Sequence, residues 1–334
     1  MRAFEIVSPD GIDALNLAER DDPAPGPGQV VVRIRASSIN YRDLATVRDP
    51  EPRGIPYPTI PNSDGAGEVV AIGEGVTRVA PGDRVMGTFF QRWVDGPITA
   101  DAMASAMGGA IDGVLAEFTV LSEDGIVAIP EHLSFEEAAT LPCAALTAWH
   151  AVAELGAIGK DDTVLLLGTG GVSIFALQFA VARGARVIHT SSSAEKLARV
   201  EDMGAAHTIN YRETPDWDAA VIDATDGQGV DLVVEVGGAG TLQKSVEAVR
   251  IGGRIGLIGV LTGGEINPTP MMRKSVRLQG IYVGSRRMFE DMNRAIAEHQ
   301  LRPVIDKTFE FEDARAAYHH MAGATHFGKI VVRV

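Results

Sequence analysis

The feature that most restricts this chain is a strand, a cluster of glycines and a helix in immediate succession. Thr163–Leu167 reads as an apolar strand and is followed by Gly168-Thr169-Gly170-Gly171-Val172-Ser173. A helical pattern then runs from Val172 to Arg183 and stops at Gly184. The flanking units repeat this alternation. Strands are predicted at Arg186–Thr190, His207–Ile209, Leu232–Val236, Arg254–Ile258 and Val276–Val283, with helices between most of them and Ser193 capping one that runs to Met203. Near-continuous apolar strands alternating with amphipathic helices predict an α/β fold with a doubly wound parallel sheet. In that setting a glycine turn is more than a tight connection. Gly168 allows a sharp turn, Gly170 lets a pyrophosphate approach the backbone without a Cβ in the way, and the helix start offers N–H groups to the anion. Ser173 stands where a third glycine often packs helix against strand.

The end of the next strand bears on which dinucleotide would be held. A carboxylate there binds the ribose 2′-hydroxyl of NAD. Here the run is Thr190-Ser191-Ser192-Ser193, with no acid before Glu195. Hydroxyls, Lys196 and Arg212 suit a 2′-phosphate, so NADPH is expected in preference to NADH. The plainer alternative is that Ser193 only caps a helix and Lys196 is solvated.

Before residue 130 the texture is different. Gln29–Ile39, Glu68–Ile72, Asp83–Phe90, Ala116–Leu121 and Ile126–Ile129 read as short strands separated by turn clusters, which predicts a β-rich domain. A capping box at Ser134–Glu137 opens a helical stretch to Leu155 that Pro142 should interrupt. Helices at Arg287–Glu298 and Glu312–Met321 and a last strand at Lys329–Val334 form a tail expected to rejoin the first domain. Of the 334 residues 46% are hydrophobic, which excludes wholesale disorder, and the net charge of −14 disfavours nucleic acid and anionic lipid. The one cysteine, Cys143, excludes an internal disulfide and a multi-thiolate zinc site. The amino end lacks the order of a signal peptide and no run is long enough to span a bilayer, so a cytoplasmic protein is expected.

Together the β-rich amino-terminal part, the turn Gly168–Val172 and the returning tail resemble the medium-chain dehydrogenase/reductase superfamily. Pro61-Asn62-Ser63-Asp64-Gly65-Ala66-Gly67 and Leu141–Trp149 resemble its quinone-oxidoreductase branch. The resemblance implies a GroES-like catalytic domain over 1–144 and 282–334 and a Rossmann domain over 145–281. It also implies that Asn40 and Asp43 line the active site. The positions of a catalytic zinc site in the family's zinc alcohol dehydrogenases would fall here on Asn40, Ser63, Asp64 and Cys143. Only the last is a zinc-type ligand, so no metal is expected. Tyr41 lies between Asn40 and Asp43 as a donor or a pocket wall. A structural alternative has Asp43 capping the helix start and pairing with Arg42. By the same resemblance the cofactor would meet Thr147, Gly168, Thr169, Gly170, Gly171, Val172, Tyr211, Gly237, Gly238, Gly259, Val260, Leu261, Tyr282, Val283, Gly284, Phe327, Gly328 and Lys329.

Chemistry points the same way. Hydride delivery to an isolated carbonyl produces an alkoxide, which zinc stabilises as a Lewis acid. Delivery to a quinone or enone produces a delocalised oxyanion related to an acid of pKa ~10, which ordinary hydrogen-bond donors can support. The expectation is therefore a zinc-free, NADPH-dependent reductase of quinones or α,β-unsaturated carbonyls. An alcohol dehydrogenase or carbonyl reductase of the same fold, or a non-catalytic NADPH-binding protein, are the alternatives. The aperiodic stretch Gln91–Gly113 reads as a substrate-facing lid, a packed excursion or an oligomer contact. A homodimer is expected from the resemblance and from an open sheet edge.

Overall fold

The computed structural model describes all residues, 1–334, which divide into two compact units: Met1–Leu146 with Val283–Val334, and Thr147–Tyr282. No helix is long and apolar enough to cross a membrane.

The first unit carries strands β1 (Arg2–Glu5), β2 (Asn16–Glu19), β3 (Gln29–Ile39), β4 (Asp64–Ile72), β5 (Arg84–Gly87), β6 (Phe118–Ser122) and β7 (Ile126–Ala128). The second carries β8 (Thr163–Leu167), β9 (Arg186–Ser191), β10 (His207–Asn210), β11 (Val230–Glu235), β12 (Val249–Leu257) and β13 (Arg277–Gly280). The tail adds β14 (Ile305–Glu310) and β15 (Lys329–Arg333) to the first unit.

In the second unit the six strands form one parallel sheet in the order β10-β9-β8-β11-β12-β13. The chain starts at the middle, on β8, winds outward through β9 and β10, then returns to β11 on the other side. That reversal opens a crevice at the carboxyl end of β8, where open α/β sheets bind ligands. Val164, Leu165 and Leu166 are fully buried because helices cover both faces, and each such side chain contributes roughly 1.5–3 kcal/mol. The last strand is shorter than the apolar pattern implied. It ends at Gly280, and Val283 adopts a left-handed φ of +57° that no strand continues through.

In the first unit β14-β15-β3-β4-β5-β7 form a largely antiparallel sheet, with β6 also on β3. The tail rejoins the amino-terminal part as expected. Phe309, Phe311, Tyr318, Ile330 and Val332 share one core with Phe4, Ile6, Leu44 and Val47. Pro142 does interrupt its helical stretch: Leu141–Ala145 form a widened π-type turn, in keeping with a residue that has no N–H to donate. The stretch Gln91–Gly113 is not a free-standing lid. Trp93, Ser105 and Met107 are buried, Gln91 Nε2 donates to the Gly125 carbonyl at 2.8 Å, and Arg42 donates to the Met107 carbonyl at 2.6 Å while lying over the Phe89 ring.

Candidate active site

In the second unit the crevice is built on Gly168. Its φ of +69° turns the chain off β8, its N–H donates to the Thr190 carbonyl at 2.9 Å, and its carbonyl accepts from His189 Nε2 at 2.6 Å. A carbonyl can only accept, so the neutral imidazole carries its proton on Nε2. Burial pushes the His189 pKa down to about 4, against the smaller opposing effect of this bond, so the ring is uncharged at neutral pH. Gly170 caps the helix Gly171–Ala182 from an extended conformation, and a Cβ built on it would meet nothing within 4 Å. The crest that faces the helix start is therefore open space next to first-turn N–H groups with no partner inside the helix, which suits a pyrophosphate. Ser173 ties helix to strand, because its hydroxyl donates to the Leu167 carbonyl at 2.7 Å.

The parallel register of β9 and β10 sets Ser191 opposite Asn210, which places the serine run beside Tyr211 and Arg212. Thr190 and Ser191 are buried, whereas Tyr211 and Arg212 are exposed. Ser193 does cap the following helix, accepting from Lys196 N at 3.3 Å, and Ser191 Oγ accepts from Ser193 N at 3.4 Å. Ser192 and Lys196 lie half-buried on the same corner. Thr147 and Thr169 are buried as well.

One residue that sequence reasoning passed over organises the next loop. Glu235, fully buried at the end of β11, accepts from the N–H of Gly237 at 2.7 Å, from that of Gly238 at 3.1 Å and from Thr241 Oγ1 at 2.6 Å. Its other oxygen accepts from Ser245 Oγ. The only sequence signal is an acid ending an apolar strand. Gly259 lies so close to the Val236 carbonyl that a Cβ would sit 1.8 Å from its oxygen. Beyond it Val260 is 79% exposed, and Leu261 and Tyr282 are exposed too.

In the first unit, strand register gathers a second cluster. The pairs Ser38↔Asp64 and Ile39↔Ile330 bring the end of β3 beside the starts of β4 and β15. Asn40, Ser63, Asp64 and Lys329 consequently meet, all of them buried. Lys329 Nζ donates to Asn40 Oδ1 at 2.5 Å and to the Ile39 carbonyl at 3.0 Å, and lies 3.9 Å from Asp64 Oδ2. Asn40 Nδ2 faces Ser63 Oγ at 3.4 Å, and that hydroxyl donates to Asp64 Oδ1 at 2.7 Å. Asp64 Oδ2 accepts from the Cys143 N–H at 3.2 Å. Burial pushes the Asp64 carboxyl above its ordinary range, and Lys329 opposes this. Burial, with Asp64 adding to it, pushes the half-buried Cys143 thiol well up, so it is not a thiolate.

Asp43 takes the structural part of its two readings. Fully buried, it accepts from Asn40 N at 2.8 Å and from Arg42 Nη1 at 3.2 Å at the start of the helix Tyr41–Arg48. Tyr41 is 48% exposed on that same first turn. Phe327 is buried, and Gly328, at a φ of +82°, leads into β15. Val283 is buried, and Gly284 packs so tightly on Leu146 that a Cβ would lie 2.9 Å from its Cγ.

Known proteins share this organisation. Residues 26–131 match the alcohol dehydrogenase GroES-like domain family and residues 171–298 the zinc-binding dehydrogenase family. A zinc-type alcohol dehydrogenase-like protein of Schizosaccharomyces pombe is 40% identical over 333 residues, covering 97% of this chain and 96% of its own. A solved NAD-dependent alcohol dehydrogenase is 32% identical with a TM-score of 0.91, covering 100% of both chains. A solved quinone oxidoreductase from Coxiella burnetii is 26% identical with a TM-score of 0.84, covering 100% of this chain and 99% of its own.

Proposed function

The chain belongs to the zinc-type alcohol dehydrogenase-like family of medium-chain dehydrogenases and reductases, and from that premise we propose that it is a zinc-independent, NADPH-dependent reductase of quinones or α,β-unsaturated carbonyl compounds. We assign dinucleotide binding to the second unit and acceptor binding to the first, in a cytoplasmic homodimer.

The observation that carries the reading is the composition of the Asn40 cluster. A zinc site prefers thiolate and imidazole ligands. Here the corresponding positions offer an amide whose oxygen already accepts from an ammonium, a hydroxyl committed to Asp64, a buried carboxylate and a single thiol, with no imidazole among them. A divalent ion entering beside Lys329 Nζ would meet unscreened like charge. No group of three or more His, Cys, Asp or Glu is arranged to hold a metal. The residues do not fit zinc.

The glycine turn does fit a dinucleotide, through the open crest at Gly170 and the turn at Gly168. Bound there, reduced nicotinamide supplies a hydride. Asn40 then serves as hydrogen-bond donor to the acceptor oxygen, and a quinone or enone limits what that donor must do by spreading the new charge over its conjugated system. Asp43 keeps Asn40 at the helix start, and Tyr41 is available as a pocket wall. The serine corner with Lys196 and Arg212 supports the choice of NADPH over NADH.

The test is an acceptor screen of quinones, enones and aldehydes with both nicotinamides, before and after chelation. Chelator-resistant oxidation of NADPH by a quinone or enone is expected. Turnover confined to alcohols and aldehydes and lost on chelation would establish the alcohol dehydrogenase alternative, and cofactor binding without turnover the non-catalytic one.

A further inference from the structure

The ammonium of Lys329 docks directly on the Asn40 side chain, and its placement has a logic of its own. An ammonium donates hydrogen bonds and accepts none. The atom of Asn40 that faces it at 2.5 Å is therefore the carbonyl oxygen, and the NH₂ group must face away. The far side agrees. Ser63 donates its proton to Asp64 at 2.7 Å, so its lone pairs face Asn40 Nδ2 at 3.4 Å and can only accept. Both ends of the network thus impose one amide orientation, and an amide otherwise has two of nearly equal shape. The charge itself is kept by Asp64, 3.9 Å away, which is anchored by the hydroxyl of its chain neighbour Ser63 and, from a distant segment, by the Cys143 N–H.

We propose that Lys329 is the positioning residue that makes Asn40 a donor to the acceptor oxygen: docked on Asn40 Oδ1, it fixes the amide with its N–H groups away from the cation and polarises them. This rests on the reductase reading above. A charge-assisted bond to the carbonyl side strengthens donation from the nitrogen side, and a fixed cation in a buried site favours a developing oxyanion. The resemblance groups Lys329 with the cofactor, whereas its side chain turns into the Asn40 cluster.

The test is Lys329→Met, which keeps length and apolar bulk and removes the charge. Expected is a fall in kcat of about 10²-fold, the scale of losing an oxyanion donor. The NADPH dissociation constant, read by quenching of cofactor fluorescence, should change less than about twofold. A weaker NADPH complex with kcat preserved would make Lys329 a cofactor ligand and overturn the proposal. Lys329→Met strands Asp64, so Lys329→Met/Asp64→Asn is measured beside it. The proposal expects this neutral pair to fold and stay slow, and recovery of activity would show that only the stranded carboxylate mattered. Asn40→Ala should lose as much as Lys329→Met, and the double variant no more than either, whereas additive losses would refute coupling through Asn40. One further readout needs no turnover. The side-chain NH₂ resonance of Asn40 in ¹⁵N-asparagine-labelled protein should shift and exchange faster with solvent in Lys329→Met. A wild type that reduces no quinone or enone sinks the reductase reading and leaves this signal to judge Lys329. An active wild type with an unperturbed Asn40 resonance in the variant sinks the present proposal alone.

Discussion

At the scale of single residues, buried polar groups set the chemistry of both clusters, and each acts through a hydrogen bond whose direction is forced. His189 is the clearest case for a pH experiment. Its folded pKa of about 4 lies below the ordinary 6.5 because burial disfavours the imidazolium. Below pH 6.5 the unfolded chain therefore takes up a proton that the folded chain refuses until about pH 4. Stability contributed by the neutral ring is complete above 6.5 and is lost as the pH falls through that window, on the order of 3 kcal/mol in all. His189→Gln keeps a donor for the Gly168 carbonyl and removes the titration. Urea unfolding at pH 7 and pH 4 should show the wild type losing more stability than the variant over that interval, and parallel losses would count against the assignment. The serine corner offers a second residue-scale experiment. If Lys196 faces a 2′-phosphate, Lys196→Ala should raise the KM for NADPH about tenfold and leave that for NADH nearly unchanged. Equal effects on both would return Lys196 to the solvated surface.

At the scale of elements, the two glycines that open the helix Gly171–Ala182 do different work, and substitution separates them. Gly168 has a φ of +69°, so Gly168→Ala should cost about 1–2 kcal/mol of stability. Gly170 has an ordinary φ of −76° and open space where a Cβ would point. Gly170→Ala should leave thermal unfolding within about 1 kcal/mol of the wild type. Dinucleotide affinity, by calorimetric titration, should nevertheless fall at least about tenfold, because the new methyl group occupies the phosphate approach. Unchanged affinity would remove the pyrophosphate from this turn. The same element shows what a sequence makes legible. An apolar strand, a glycine turn and a helix with its stop are contiguous, so their pattern is complete within about twenty residues and survives in the structure almost residue for residue. The hairpin of β1 and β2 and the strand β14 leave no such mark, because short strands with charged residues are stabilised by their partners rather than by their own pattern.

At the scale of the whole molecule, the parallel sheet ends on β13, whose four residues are all exposed with Leu278 among them. An uncovered edge strand presents unpaired backbone groups that a second copy can pair with. Light scattering should therefore give twice the chain mass for the wild type, and Leu278→Pro should shift it toward the monomer, while a monomeric wild type would leave that edge without a partner. The amino-acid pattern by itself determined the α/β class, the β-rich first part and the glycine turn, since each follows from local periodicity and composition, whereas the return of the tail rests on pairing between distant strands. Only the tertiary structure decided where the buried charges point. Gln91–Gly113 lacks any period, and Arg42, Gln91 and Met107 turned it into packed structure instead of a lid. Lys329 stands 289 residues from Asn40 in the chain, and strand register alone brings them together. Directional hydrogen bonds between distant segments leave no trace in spacing, because their energy depends on angles and on exclusion of water that exist only once the strands have paired.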